Sequence, residues 1–111
     1  MEVIDVADVE AENKPKVILK TLFEDALGNM TRFSFGTVIF EPQSRVPESG
    51  DGAHSGDEYT IVVRGRIRTV SGGKEYLLSE GQAAFIPAGE RHYAINDSDS
   101  VCEIVWLLIE P

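Results

Sequence analysis

One stretch in the second half of the chain decides the fold: residues 81–96 read GQAAFIPAGERHYAIN. Five residues stand at fixed spacings within it: Gly81, Pro87, Gly89, His92 and Asn96. The run Ala83–Ile86 is apolar and of strand length, and the Pro-x-Gly sequence that follows it marks a tight turn. The stretch therefore predicts two short strands joined by a turn, with His92 at the start of the second strand.

The same five residues match every fixed position of a known motif. The second motif of the cupin superfamily is G-x5-P-x-G-x2-H-x3-N, and this stretch resembles it at each spacing. The resemblance implies an all-β fold, the cupin double-stranded β-helix, which is a jelly-roll-like barrel. It also implies that the barrel interior holds one divalent metal ion and takes up a small organic molecule.

The first cupin motif, G-x5-H-x-H-x3-E-x6-G, lies upstream and is matched only in part. Glu58 and Gly65 have the required six residues between them, and His54 lies four residues before Glu58, where the second histidine belongs. The first histidine would fall on Gly52 and the leading glycine on Val46. This half of the signature therefore departs from the family pattern at a ligand position.

The chain, residues 1–111, reads as a single domain, because this length supports one hydrophobic core and not two. The resemblance covers residues 36–109, which are the expected core barrel. The two motifs are separated by residues 66–80, the short linker of small microbial cupins. Residues 1–15 are acidic and read as an N-terminal arm, with one short strand predicted at Val3–Val6.

From Lys16 onward the apolar runs are short and rich in β-forming residues. They lie at 17–19, 33–35, 37–40, 59–63, 67–70, 83–86 and 101–109. Ser71–Lys74 predicts a hairpin because glycine takes the positive φ angles of tight turns. Asn96 is expected to start a turn, and Leu22–Leu27 reads as one turn of helix. The pattern alone favours a β-sandwich or a barrel, and the resemblance selects a barrel of six to eight strands.

Three side chains are the predicted metal ligands: His54, Glu58 and His92. Side chains alternate between the faces of a strand, so His54 and Glu58, four residues apart, share one face. Thr60 and Val62 then point inward as well. In the cupin fold the strand that begins at His92 lies beside the first motif, so the three groups would converge. Two imidazoles and one carboxylate suit Zn²⁺, Fe²⁺, Mn²⁺ or Ni²⁺ and leave coordination positions open.

Gly52 leaves this set one histidine short of the three-histidine, one-glutamate set of full cupin sites. The loss is expected to weaken the site, to open a further coordination position, or to abolish metal binding. Asp51, Asp57 and Glu48 are weaker candidates for a substitute carboxylate. The alternative is a degenerate cupin that keeps the fold without the metal. Cys102 is expected to be a small buried hydrophobe rather than a nucleophile.

The charge of the chain limits the classes of partner that it can bind. The net charge is −9 and the isoelectric point is about 4.6, whereas proteins that bind nucleic acids or anionic membranes need an excess of Lys and Arg. We therefore expect no nucleic acid and no membrane as partner. Arg64, Arg66 and Arg68 read as a solvated strand face rather than an anion anchor. The N-terminus lacks the pattern of a secretory signal, and the single cysteine cannot form an internal disulfide, so the cytoplasm is the expected compartment.

Three functional hypotheses follow from the resemblance. The first is a metal-dependent enzyme of the oxygenase, isomerase, lyase or decarboxylase type that acts on a small molecule, with no residue yet assigned a catalytic role. The second is a metal-free module that binds or senses a ligand without turnover, and the third is a structural dimer with a vestigial cavity. Small cupins form homodimers by pairing edge strands, for which Val101–Ile109 and the N-terminal segment are the candidates.

Overall fold

The computed structural model describes all 111 residues and contains nine strands and one short 3-10 helix. The strands are β1 Val17–Gly28, β2 Thr31–Phe40, β3 Ser44–Val46, β4 Asp57–Arg64, β5 Arg66–Ser71, β6 Lys74–Ser79, β7 Ala83–Ile86, β8 His92–Asn96 and β9 Cys102–Glu110. They form two antiparallel sheets, in the orders β1-β2-β9-β4-β7 and β3-β8-β5-β6. The predicted jelly-roll class is confirmed, with nine strands instead of six to eight.

Strand β4 sits between β9 and β7 and presents its alternate side chains to the barrel interior. Val62 is buried and Thr60 lines the internal cavity, as the alternation predicted. Tyr59, Ile61 and Val63 point outward and are each 40–44% exposed. The outward face of β4 is therefore apolar and uncovered within one chain.

Two local predictions are wrong. Leu22–Leu27 forms no helical turn, because its backbone continues β1 and pairs with β2, which is itself paired with β9 on its other side. Val3–Val6 is not a strand; instead, the Asp5 side chain accepts a hydrogen bond from the Ala7 amide and caps a 3-10 helix at Val6–Asp8. No helix in the chain has the length and apolar character needed to cross a membrane.

The C-terminal strand β9 is an interior strand. It lies between β2 and β4 and is paired on both sides along most of its length. The prediction that Val101–Ile109 joins two copies as an edge strand is therefore wrong, because both of its hydrogen-bonding edges are already used within the chain. The homodimer itself stays a prediction.

The hydrophobic core joins the two sheets. It consists of Val17, Val38, Phe40, Val62, Ile67, Cys102 and Ile104. Four of these side chains, Val38, Phe40, Ile67 and Ile104, also line the internal cavity, so the core and the cavity share a wall. Burial raises the pKa of the Cys102 thiol to about 11, which agrees with its predicted role as a buried hydrophobe.

Asn96 fastens the end of β8 to the rest of the barrel. Its buried side-chain amide donates to the carbonyl oxygens of Phe40 at 3.0 Å and Ser100 at 2.8 Å. Its Oδ1 accepts from the backbone amide and the hydroxyl of Ser98 at 3.1 and 2.7 Å. The motif asparagine thus closes a turn, as expected, and is not among the residues that line the cavity.

Candidate metal centre

His92 opens β8, directly after the turn of the second motif. Its Nδ1 donates to the backbone carbonyl oxygen of Glu90 at 2.9 Å, since a carbonyl oxygen can only accept. The neutral ring then carries its lone pair on Nε2. Metal-binding histidines commonly have this second hydrogen bond, which fixes the tautomer and the orientation of the ring.

His54 and Glu58 lie on either side of the point where a loop becomes strand β4. The backbone amide of Gly89, in the turn before β8, donates to the His54 carbonyl at 2.8 Å and holds the loop in place. His54 Nε2 lies 3.3 Å from Glu58 Oε1. Contact with the Glu58 carboxylate raises the pKa of the His54 imidazole, while partial burial of the ring opposes that rise.

The three predicted ligands meet in one place. One potential ligand atom from each of His54, Glu58 and His92 lies within 4.8 Å of the other two, and the two imidazole rings are 5.2 Å apart. Metal–ligand bonds of ~2.1 Å put adjacent ligand atoms of one ion ~3.0–3.4 Å apart, and the His54–Glu58 distance falls in that range. The other two pairs of ligand atoms lie within 4.8 Å, so the three side chains form a group that can hold a divalent ion.

The weaker carboxylate candidates lie outside this cluster. Asp51 accepts hydrogen bonds from the exposed guanidinium of Arg91, at 2.6 Å from its Nε. Asp57 Oδ1 accepts from the Ala88 amide at 3.0 Å, and Glu48 is exposed. None of the three belongs to the cluster, which offers three potential protein ligands.

The cluster lies in the wall of a cavity of about 650 Å³ inside the barrel. Most of the lining is apolar, from residues such as Val46, Trp106 and Leu108. The lining contains no Lys or Arg. The predicted solvated arginines are engaged elsewhere, with Arg64 beside Glu103 and Arg68 beside Asp97.

Two cavity carboxylates outside the ligand cluster, those of Glu12 and Glu90, were not predicted from the sequence. Glu90 lines the cavity, and its Oε2 accepts a hydrogen bond from the Ser71 hydroxyl at 2.6 Å. Ser71 ends β5, nineteen residues earlier, so no local spacing links the two residues. Only the position of Glu90, two residues before His92 and inside the second motif, could have drawn attention to it.

The amino-acid sequence of this chain is similar to those of known proteins. The sequence model of the Cupin domain family matches residues 36–108. "Polyketide synthase CurC" of Streptomyces cyaneus is 29% identical over 107 residues, which is 96% of this chain and 68% of that protein.

Two solved structures share the fold at low sequence identity. A predicted oxalate decarboxylase from Thermotoga maritima superposes with a TM-score of 0.82 at 21% identity, over 99% of this chain and 100% of that one. The polyketide cyclase RemF from Streptomyces resistomycificus superposes with a TM-score of 0.77 at 22% identity, over 97% and 78%. At such identities the two structures establish the shared architecture.

Proposed function

This chain belongs to the cupin domain family, and from that premise we propose that it binds one divalent metal ion through His54, Glu58 and His92 and acts on a small organic molecule held in the barrel. One observation carries the proposal: the three potential ligands converge in the wall of a cavity of about 650 Å³. Small-molecule sites in proteins have volumes of ~300–1,000 Å³, mostly apolar walls and a few convergent polar groups.

The charge of the cavity narrows the class of small molecule. Its lining contains three carboxylates (Glu12, Glu58 and Glu90), the two histidines and Tyr76, with no Lys or Arg. A phosphorylated sugar or a dicarboxylate would bring at least two negative charges into this acidic, cation-free wall, where only the metal could compensate them. The cavity instead suits a largely apolar molecule that is neutral or carries one negative charge.

The names of two relatives agree with this class. One is described as a polyketide synthase and the other as a polyketide cyclase, and polyketides are carbonyl-rich molecules that form apolar rings. The oxalate of the third relative's name is a small dianion, which fits this cavity poorly. We therefore favour an enolisable or aromatic carbonyl compound as the substrate.

A bound divalent ion would supply Lewis acidity that polarises a carbonyl oxygen of the substrate. The chain itself supplies the positioning and the proton acceptor. The Glu90 backbone carbonyl holds the His92 ring through Nδ1, and the mostly apolar wall contacts the substrate. Glu90, which lines the cavity and whose carboxylate accepts a hydrogen bond from the Ser71 hydroxyl, is the candidate general base.

The second candidate is a metal-free module that binds the same class of molecule without turnover. The observation that favours it is Gly52, which removes one histidine from the family's usual ligand set. Both candidates use the same cavity, and they differ in whether ligand binding needs the metal.

A binding measurement separates the two candidates. Benzoylacetone, an apolar compound with an enolisable dicarbonyl group, is titrated calorimetrically into protein stripped of metal and into protein reloaded with Zn²⁺, with oxalate as the matched control. We expect benzoylacetone to bind only the reloaded protein and oxalate to bind neither form measurably. Equal binding of benzoylacetone to both forms would support the metal-free module, and preference for oxalate would contradict the proposed substrate class.

A further inference from the structure

Position 52 faces the ligand cluster. Gly52 and His92 exchange two backbone hydrogen bonds, from Gly52 N to His92 O at 3.0 Å and from His92 N to Gly52 O at 2.8 Å. Residues paired in this way across antiparallel strands point their side chains to the same face, with Cβ atoms ~5 Å apart. A side chain at position 52 would therefore stand beside the His92 imidazole, and Gly52 itself lines the cavity.

The fold does not require glycine at this position. A Cβ atom added to Gly52 would meet no other atom within 4 Å, and its φ angle lies outside the left-handed region. Other glycines of the barrel are different: a Cβ on Gly56 would collide with the backbone of Ile109, and one on Gly65 with the backbone of Val101. The missing side chain at position 52 thus leaves a gap next to the metal ligands that neither packing nor backbone conformation explains.

We propose that the gap beside Gly52 is a coordination position that the bound small molecule fills with its own donor atom. The inference rests on the proposed function, because it needs a metal held by His54, Glu58 and His92. Two neutral imidazoles and one carboxylate leave a divalent ion with a net charge of +1, and the cavity wall offers no cation to share a larger negative charge. The donor is therefore a single anionic oxygen, as in an enolate, a phenolate or a carboxylate, on an otherwise apolar molecule.

Visible spectra of the full chain loaded with Co²⁺ test the gap directly, because the d–d bands respond to each change in coordination. The variants are Gly52→His, which returns an imidazole to the gap, and Gly52→Ala, the matched control that leaves it open. Gly52→Asp provides a shorter donor in case the histidine variant does not fold, which circular dichroism establishes. The probes are free imidazole, which is the missing side chain, and benzoate, which joins one anionic oxygen donor to an apolar ring.

We expect both probes to shift the Co²⁺ bands of the unsubstituted chain and of Gly52→Ala. Gly52→His should resemble the imidazole complex without added probe, bind Co²⁺ about tenfold or more tightly, and respond to either probe about tenfold or more weakly. Equal Co²⁺ affinity and equal probe responses in Gly52→His and Gly52→Ala would overturn the inference while the proposed function stands. Failure of the unsubstituted chain to bind Co²⁺ at all would overturn the proposed function and this inference together.

Discussion

The two segments that build the candidate site differ in how they are held. Gly81–Asn96 contributes β7 and β8, and its motif residues are fixed by strand pairing and by the buried amide of Asn96. Residues 47–56 form a loop with a single isolated bridge. Strand pairing within the two sheets fixes Gly81–Asn96. The loop of residues 47–56 is positioned largely by its contacts with that segment.

The contacts between the segments show this dependence. The backbone amide of Gly52 donates to the His92 carbonyl, and that of Gly89 donates to the His54 carbonyl. The guanidinium of Arg91 donates to the Asp51 carboxylate. These links are made by backbone groups or by a surface ion pair, and none uses a side chain at position 52. A side chain at position 52 is therefore not needed to position the loop, and glycine is compatible with the fold there.

The largest effect is expected from Asn96→Ala in the well-fixed segment. The substitution removes the partner of the buried Phe40 carbonyl and the partners of the part-buried Ser98 amide and Ser100 carbonyl. A buried polar group without a partner costs ~1–3 kcal/mol. We expect the free energy of unfolding in urea to fall by about 3 kcal/mol. The control is Ser98→Ala, which removes the partly exposed hydroxyl that donates to Asn96 Oδ1 and leaves both bonds of the Asn96 amide group in place. It should cost less than about 1 kcal/mol. Equal losses in the two variants would show that the segment is not fastened by Asn96.

Next in size is His92→Ala, which removes a ligand without disturbing that fastening. We expect Zn²⁺ affinity to fall by about 100-fold or more, equivalent to roughly 2.7 kcal/mol, with the chain still folded. The control is Tyr93→Ala in the same strand, whose ring packs against the Arg45 guanidinium and not in the cavity. Competition against a chromophoric chelator measures both, and unchanged affinity in His92→Ala would remove this residue from the site.

A smaller effect on Zn²⁺ affinity is expected when the ion pair that links the two segments is removed. Arg91→Ala deletes the exposed ion pair with Asp51, which contributes at most about 1 kcal/mol to stability. Because that pair holds the loop that carries His54, we expect Zn²⁺ affinity to fall about three- to tenfold while stability changes little. Arg66→Ala, which removes an exposed arginine of β5, is the control. Identical Zn²⁺ affinities in the two variants would mean that the loop is positioned without the ion pair.

The smallest predicted effect is a pH dependence of the metal-free chain. Contact with Glu58 raises the folded-state pKa of His54 above its ordinary value of 6.5. The resulting stabilisation is fully present below that value and is lost as the pH rises through the folded-state pKa. His54→Ala should therefore lower the melting temperature at about pH 5.5 and leave it unchanged at about pH 9. A difference that grows with pH would contradict the assigned contact.

Metal binding is expected to have the opposite pH dependence, because a proton and a metal ion compete for the same imidazole nitrogen of His54. Zn²⁺ affinity is expected to rise with pH until His54 is deprotonated. Measuring affinity and melting temperature on the same samples separates the two effects.

The sequence predicted most of the strands and the convergence of His54, Glu58 and His92, because both follow from fixed spacing. Strand alternation placed Glu58, Thr60 and Val62 inside the barrel, and the second motif placed His92 at the start of β8. Leu22–Leu27 could not be assigned from its own residues, since it is a strand only through pairing with β2. The interior position of β9 likewise depends on sheet order, which no local pattern encodes.

The chemistry of the cavity was the least predictable feature. Glu90 and Ser71 come together across nineteen residues through the pairing of β5 with β8. The absence of Lys and Arg from the lining emerges only when the residues of both sheets are seen together. The open space at Gly52 is a property of its surroundings, whereas the sequence showed only that a histidine is missing there.

The metal content of the chain, purified without a metal-binding tag, tests the central claim most directly. Elemental analysis is run on the unsubstituted chain and on His92→Ala, each after incubation with Fe²⁺, Mn²⁺, Ni²⁺ or Zn²⁺ and removal of excess ion. The account predicts about one transition-metal ion per unsubstituted chain and a small fraction of that in the variant. No retained metal in the unsubstituted chain, or equal amounts in both proteins, would contradict a site built from His54, Glu58 and His92.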